Sequence, residues 1–213
     1  MSFKGNLGSL LERGLSENTF DYQRGVWPPT TPARAYMASF LEKHAALVHG
    51  RVVEFSPPVY RAMFPDVVRY DVWNVTEGAG ITIVGDLQSC PHIPDANFDT
   101  ILCLHVLSAV RDVWAAAKSL HRLLADDGTL LVTVPCILQK YAPDPQDYWR
   151  FTRDSLAAIL EPFESVAISA YGNAATVAGS PYYLRTEHFS RGIMEFHDPA
   201  CPSILTAVAR KKR

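Results

Sequence analysis

The chain has 213 residues, 48% of them hydrophobic and 20% charged, with a formal net charge of -2. This is the profile of a globular protein with one α/β domain and a substantial core. The near-neutral balance argues against a broad nucleic-acid footprint, and no stretch approaches 18 consecutive apolar residues, which argues against a membrane-spanning helix.

The opening "MSFKGNLGSLLERGLSEN" lacks the apolar core of a signal peptide. Of the four cysteines, Cys90, Cys103, Cys136 and Cys201, no two form a C-x-x-C pair. No zinc site is therefore expected, and a reduced, cytoplasmic setting is. The terminal Arg210-Lys211-Lys212-Arg213 reads as a solvated end.

In chain order, residues 7–24 are expected to form a helix, and "RGVWPPTTPARAY" a stiff, proline-rich connection. "PARAYMASFLEKHAALVHG" places Tyr36, Met37, Phe40 and Leu41 at helical spacing, with Gly50 as a stop. Short apolar runs follow. "RVVEF" (51–55), "VVRYDVW" (67–73, ending near Asp71), "ITIVGDL" (81–87, ending at Asp86) and "FDTILCLHVL" (98–107) are predicted strands. Between the first two, "PPVYRAMFPD" leaves room only for a short helix. "RDVWAAAKSLHRLLADDG" (111–128) is a predicted amphipathic helix capped by Gly128, and "TLLVTVP" (129–135) a fifth strand. "TRDSLAAILEPF" (152–163) is a helix with Thr152 as its N-cap, while "ESVAISAYG" and "PSILTAVAR" supply an antiparallel pair at the sheet edge. Strands apolar throughout and separated by helices imply a doubly wound, mostly parallel sheet covered on both faces. The expected organisation is an N-terminal helical extension over 1–49 and one globular unit over 50–213. Function in such a fold lies on loops at the carboxyl ends of the strands.

The segment "FDTILCLHVLSAVRDVWAAAKSLHRLLADDGTLLVTVP" resembles the fourth strand, following helix and fifth strand of the class I S-adenosylmethionine-dependent methyltransferases, in particular the small type 11 domains. "LHRLLADDGTLLVTVP" is similar to their Arg-x-Leu-x-Pro-Gly-Gly helix end, and "DYWRFT" (147–152) to the segment after their fifth strand. The resemblance spans roughly residues 50–165 and implies a seven-stranded Rossmann-like methyltransferase fold. The chain departs from it at Asp126-Asp127-Gly128, at Leu107-Ser108-Ala109 where Leu-Glu-His is common, and most of all at Ser56-Pro57-Pro58, where a glycine-rich loop is usual. No G-x-G-x-x-G follows the first strand, which disfavours a nicotinamide dehydrogenase.

The resemblance implies S-adenosyl-L-methionine as cofactor, S-adenosyl-L-homocysteine as product, and a sugar or specialised metabolite as acceptor, methylated on oxygen or nitrogen. It assigns Glu54 and Ser56 to the first loop, Asp71 with Val72 to the ribose end of strand two, Asp86 with Leu87 to the adenine, and His105 to the neighbourhood of the sulfur. Tyr22 or Arg24 of the extension would take over donors lost to Pro57 and Pro58. Each acidic residue has an ordinary alternative as a helix cap, a turn or an ion-pair partner, and His105 as a core residue. Methyl transfer needs alignment and often a base; Asp147 and His188 are the first candidates, with His197-Asp198 behind them. No metal site is expected. The partner is a small molecule rather than nucleic acid or membrane, and a homodimer stays open. Two competing readings are a non-catalytic binding or scaffold domain that lost the cofactor, motivated by the prolines of the first loop, and a protein that turns the cofactor to another reaction.

Overall fold

A computed structural model describes residues 31–55, 58–140, 146–182 and 184–211. The helix expected over 7–24, and Tyr22, Arg24, Ser56 and Pro57, lie outside the described residues.

Seven strands form one sheet in the order β3-β2-β1-β4-β5-β7-β6. They are β1 (Arg51–Phe55), β2 (Arg69–Asn74), β3 (Ile83–Val84), β4 (Phe98–Leu104), β5 (Leu124–Pro135), β6 (Ser165–Tyr171) and β7 (Ile204–Arg210). The first five pair in parallel; β7 runs antiparallel to both β5 and β6. β7 therefore lies inside the sheet and β6 forms its edge. The helices are α1 (Pro32–Lys43), α2 (Val113–Leu123), α3 (Arg153–Ile159), α4 (Ala174–Gly179) and α5 (Arg191–Glu195).

Alternation along the central strands builds two cores. Val52, Leu102, Leu131 and Ile204 face α1, whose Tyr36, Met37, Phe40 and Leu41 are buried there. Val53, Ile101, Cys103, Leu130 and Val132 face α2 and α3. Side chains on a strand alternate between faces, so a central strand covered on both sides must be apolar at every position. α1 runs from the carboxyl edge of the sheet, where Met37 meets His105, towards the amino edge, where His49 N–H reaches Thr100. Its first turn is fixed by the Thr31 hydroxyl, which accepts the Arg34 N–H.

Several boundaries differ from the sequence reading. β2 does not end near Asp71 but runs on to Asn74, because Val72 and Trp73 pair with Glu54 and Phe55 of β1. β3 is only two residues long. β4 stops at Leu104, because His105 turns into left-handed backbone. α2 ends at Leu123 rather than at Gly128. Leu124 is drawn into pairing with Phe98, and the Lys211 ammonium donates to its carbonyl. The left-handed position there is Asp127, with φ 60°. The first crossover holds only a 3-10 turn, Arg61–Met63. Thr152 does cap α3, accepting the Ser155 N–H in a reciprocal box.

The amino edge is fastened by a fork. The Arg51 guanidinium donates to both oxygens of Asp99 at 3.1 Å, and its own N–H adds a third bond at 2.7 Å. Gly50, at φ +69°, passes so close that a Cβ would sit 2.4 Å from Asp99 Oδ2. Gly80, at φ +78°, has open space around the same position. Gly80→Ala should thus cost about 1 kcal/mol, the dihedral penalty alone. Gly50→Ala should cost about 2–3 kcal/mol, because it also forces the fork apart. Urea unfolding of the two variants checks this; equal losses would show that the fork yields without cost.

Candidate active site

In an open α/β sheet a ligand sits beyond the carboxyl ends of the strands, where the strand order reverses. Here that point lies between β1 and β4, and the sequence places Glu54 and His105 on its two sides.

Glu54 is 2% exposed. The Tyr70 hydroxyl donates to its Oε2 at 2.5 Å, and the Tyr60 N–H donates to Oε1 at 3.3 Å. Burial raises its carboxyl above the usual carboxylate range, against these hydrogen bonds, which lower it. The Arg61 guanidinium lies 4.7 Å from the centre of the Tyr70 ring. Glu54 thus joins three parts of the chain: it rises from β1, is held from β2 by Tyr70, and pins the backbone at Tyr60, two residues past Pro58.

His105 follows β4 directly and has φ 58°. Such left-handed backbone is uncommon outside glycine and tends to collect at functional sites. Its N–H bonds to the Thr133 carbonyl and hydroxyl of β5, at 2.8 and 3.1 Å. Its carbonyl accepts the Ser108 hydroxyl at 3.0 Å. The ring Nδ1 meets Met37 Sδ of α1 at 2.8 Å. A thioether can only accept, which places the ring proton on Nδ1. Burial, then the Arg34 and Arg150 guanidinium groups, push the imidazole down to about 3, with Asp147 pulling the other way. His105 is therefore neutral at physiological pH and too weak a base to take a proton there.

The described residues 146–151, beyond β5, are fastened beside this point. Arg150 is their hub: both ends of the guanidinium reach the Asp147 carboxylate at 2.6 Å, and three further bonds go to the carbonyls of Leu138, Gln139 and Trp149. The Tyr148 and Trp149 N–H groups bond to the Ser108 carbonyl, and the Trp149 indole N–H to the Val110 carbonyl. Residues 147–151 are thereby tied to the turn that carries His105.

The other expected residues fall as follows. Asp71 lies mid-strand and is bonded to Arg69 and to the Thr82 hydroxyl. The end of β2 is instead Asn74, whose carbonyl accepts the Gly85 N–H and whose side chain accepts the Val75 N–H. Val72 and Trp73 are core residues, 5% and 1% exposed, and the Trp73 indole N–H donates to the Gly85 carbonyl. Asp86 is exposed two residues beyond β3 and folds its carboxylate onto Gln88. Leu87 is buried. Gln88 in turn accepts the Asp112 N–H, joining this loop to the start of α2.

Asp147 has a side chain 1% exposed, with both oxygens engaged by Arg150. His188 sits in a 3-10 turn, where its Nδ1 accepts the Arg185 N–H at 2.9 Å. That bond puts the neutral ring's proton on Nε2, so the outward nitrogen is a donor. No hydrogen bond joins His188 to Asp147 among the described residues. His197 stacks against Tyr36 and Tyr171 and accepts the Gly172 N–H, and Asp198 closes a turn on Ala200. Sequence reasoning missed Arg150, Asn74 and the Tyr60–Tyr70 pair around Glu54. The continuation of the second apolar run through "DVWN" was the available signal for Asn74. Among the described residues no cluster of metal-binding side chains occurs, and no helix is long and apolar enough to cross a membrane.

A seven-stranded, mostly parallel sheet of this order, flanked by helices, is the Rossmann-like methyltransferase fold. A family model described as a methyltransferase domain, of the type 11 group, matches residues 53–132. Among solved structures, a SAM-dependent methyltransferase from Archaeoglobus fulgidus is 13% identical with a TM-score of 0.59, covering 84% of this chain and 94% of its own. The 1,6-didemethyltoxoflavin-N1-methyltransferase of Burkholderia thailandensis, solved with 1,6-didemethyltoxoflavin and S-adenosylhomocysteine bound, is 18% identical with a TM-score of 0.55, covering 100% and 92%. The [4+2]-cyclase SpnF is 15% identical with a TM-score of 0.56, covering 83% and 80%. No curated protein sequence matches the chain. Residues 53–132 thus match the methyltransferase-domain family, and the fold is the one these S-adenosylmethionine-dependent methyltransferases share.

Two outcomes follow from the site. Glu54 titrates higher in the folded chain than in the unfolded one, so its contribution is fully present below the unfolded range and is lost as pH rises through the folded value. Glu54→Gln, whose oxygen still accepts the Tyr60 N–H and whose NH2 donates to the Tyr70 oxygen in a reversed bond, should remove that loss. The variant should gain on the parent in urea unfolding as pH rises above the ordinary carboxylate range; a constant difference would count against a strained carboxylate. Asp147→Asn should lower stability by about 2 kcal/mol or more, since it leaves the Arg150 hub unbalanced. A variant as stable as the parent but inactive would instead return Asp147 to the role of base.

Proposed function

We propose that this chain transfers a methyl group from S-adenosylmethionine to a small-molecule acceptor at the carboxyl edge between β1 and β4. The neutral, strained His105 carries this reading. It sits where the order of strands reverses, and an uncharged imidazole does not repel a sulfonium as an imidazolium would. Glu54, Asn74 and the Asp86–Gln88 turn supply polar groups at the ends of three neighbouring strands, which suits the cofactor's amino-acid, ribose and base parts.

The cofactor, when bound, supplies an electrophilic methyl carbon on a positive sulfur. The protein's work is alignment and exclusion of water. Arg150 and Asp147 lock the 146–151 loop against the His105 turn, and α1 covers the other side through Met37. Asp147 is a positioning residue here, because its carboxylate is already committed to Arg150. His188 offers a donor rather than a base. The acceptor is thus one whose proton needs little help to leave, such as a ring nitrogen or an acidic hydroxyl. The Burkholderia neighbour, an N1-methyltransferase with 1,6-didemethyltoxoflavin bound, supports a nitrogen acceptor.

Calorimetry with S-adenosylmethionine and S-adenosylhomocysteine tests the reading. Both should bind with Kd below about 1 mM, roughly -4 kcal/mol. Absence of binding to either would leave the scaffold alternative standing. Binding without turnover of any nucleophilic acceptor would favour another use of the cofactor.

A further inference from the structure

The first loop raises a problem of charge. The cofactor ends in a carboxylate, and prolines at 57 and 58 offer it no N–H donors. Any substitute must be a cation at the carboxyl edge of the sheet that is not already committed. Arg150 is excluded by its bond to Asp147 and Arg61 by its place over the Tyr70 ring.

Arg34 meets the requirement. It lies in the first turn of α1, three residues before Met37, so the two share one helix face. Met37 touches His105, which places Arg34 one turn further out over the carboxyl edge. Its side chain is half-buried. Among the described residues no carboxylate or carbonyl oxygen accepts a bond from its guanidinium. Two groups on opposite sides of the site register its charge. At His105 it adds to burial in lowering the imidazole; at Tyr60, in the chain just after the Ser-Pro-Pro turn, it works against the burial that raises the phenol. The first turn of α1 thus sits beside the β4 turn at the carboxyl edge, within electrostatic reach of both His105 and Tyr60, and a fork of donors there fits a carboxylate.

We propose that Arg34 holds the methionyl carboxylate of the cofactor, in place of the backbone donors removed by Pro57 and Pro58. The proposal rests on the cofactor reading given above. It also assigns a function to α1: the helix supplies the charge that the first loop lacks.

The test compares two ligands on the full chain. S-adenosylhomocysteine carries the carboxylate, whereas 5′-deoxy-5′-methylthioadenosine keeps the nucleoside and thioether but lacks the amino-acid end. Arg34→Met should weaken S-adenosylhomocysteine by about tenfold or more in calorimetry and leave methylthioadenosine within about twofold. Arg34→Lys should recover part of the loss, because charge returns without the fork. Thermal unfolding of both variants should match the parent. The proposal is overturned if S-adenosylhomocysteine binding is unchanged, which would leave the cation to an anionic acceptor, or if both ligands weaken equally, which would mark a structural role. A parent chain that binds neither ligand would sink the cofactor reading itself, whereas the first two outcomes leave it intact.

Discussion

The reversal of strand order between β1 and β4 governs everything that follows in this molecule. Two neighbouring parallel strands whose connections leave in opposite directions cannot have their exits covered by the same loop. A crevice results, and the groups on its rim are set by where β1 and β4 stop. β1 delivers Glu54 and β4 delivers His105, and both are held by bonds from outside their own strands. Tyr70 reaches Glu54 from β2, and Thr133 takes the His105 N–H from β5. The rim is therefore rigid because the sheet beneath it is rigid, and loops beyond it are attached rather than free.

The same constraint explains why the fold was legible in the sequence. Central strands buried on both faces must be apolar at every position, and "FDTILCL" and "TLLVTV" are unmistakable for that reason. The amphipathic spacing of Trp114 to Leu123 and the Thr152 cap are equally local. Boundaries were less legible because they are decided by pairing. β2 runs past Asp71 since β1 is still there to pair with, and α2 stops before Gly128 since β5 begins early and is held by Lys211. For the candidate site, strand ends were legible but the contacts of their side chains were not. Glu54 and His105 could be found by counting to strand ends. That Asp147 is taken up by Arg150, or that His188 presents a donor, depends on contacts the order of residues does not reveal.

The Ser-Pro-Pro turn reads differently once its surroundings are known. Taken alone, it removes donors from a loop that relatives of the resembled family fill with glycine. In the folded chain the Tyr60 N–H, two residues past Pro58, donates to Glu54, so the described chain beyond the prolines is anchored on β1. Two prolines in sequence remove backbone donors, and side-chain donors in their place would come from a second element. α1 is the element that stands opposite.

The interior position of β7 has a consequence for how the chain reaches this state. β6 is synthesised before β7, yet it lies outside it and contacts β5 only through it. Until β7 arrives, β5 and β6 each present an open edge of unpaired amides and carbonyls. A direct β5–β6 pairing would be a trap, closed off only when a later segment wedges between them. The connection from β6 to β7, with α4 and α5 on it, must therefore keep the strands apart long enough for the wedge to enter. The last strand is a keystone, and the order of assembly differs from the order of synthesis.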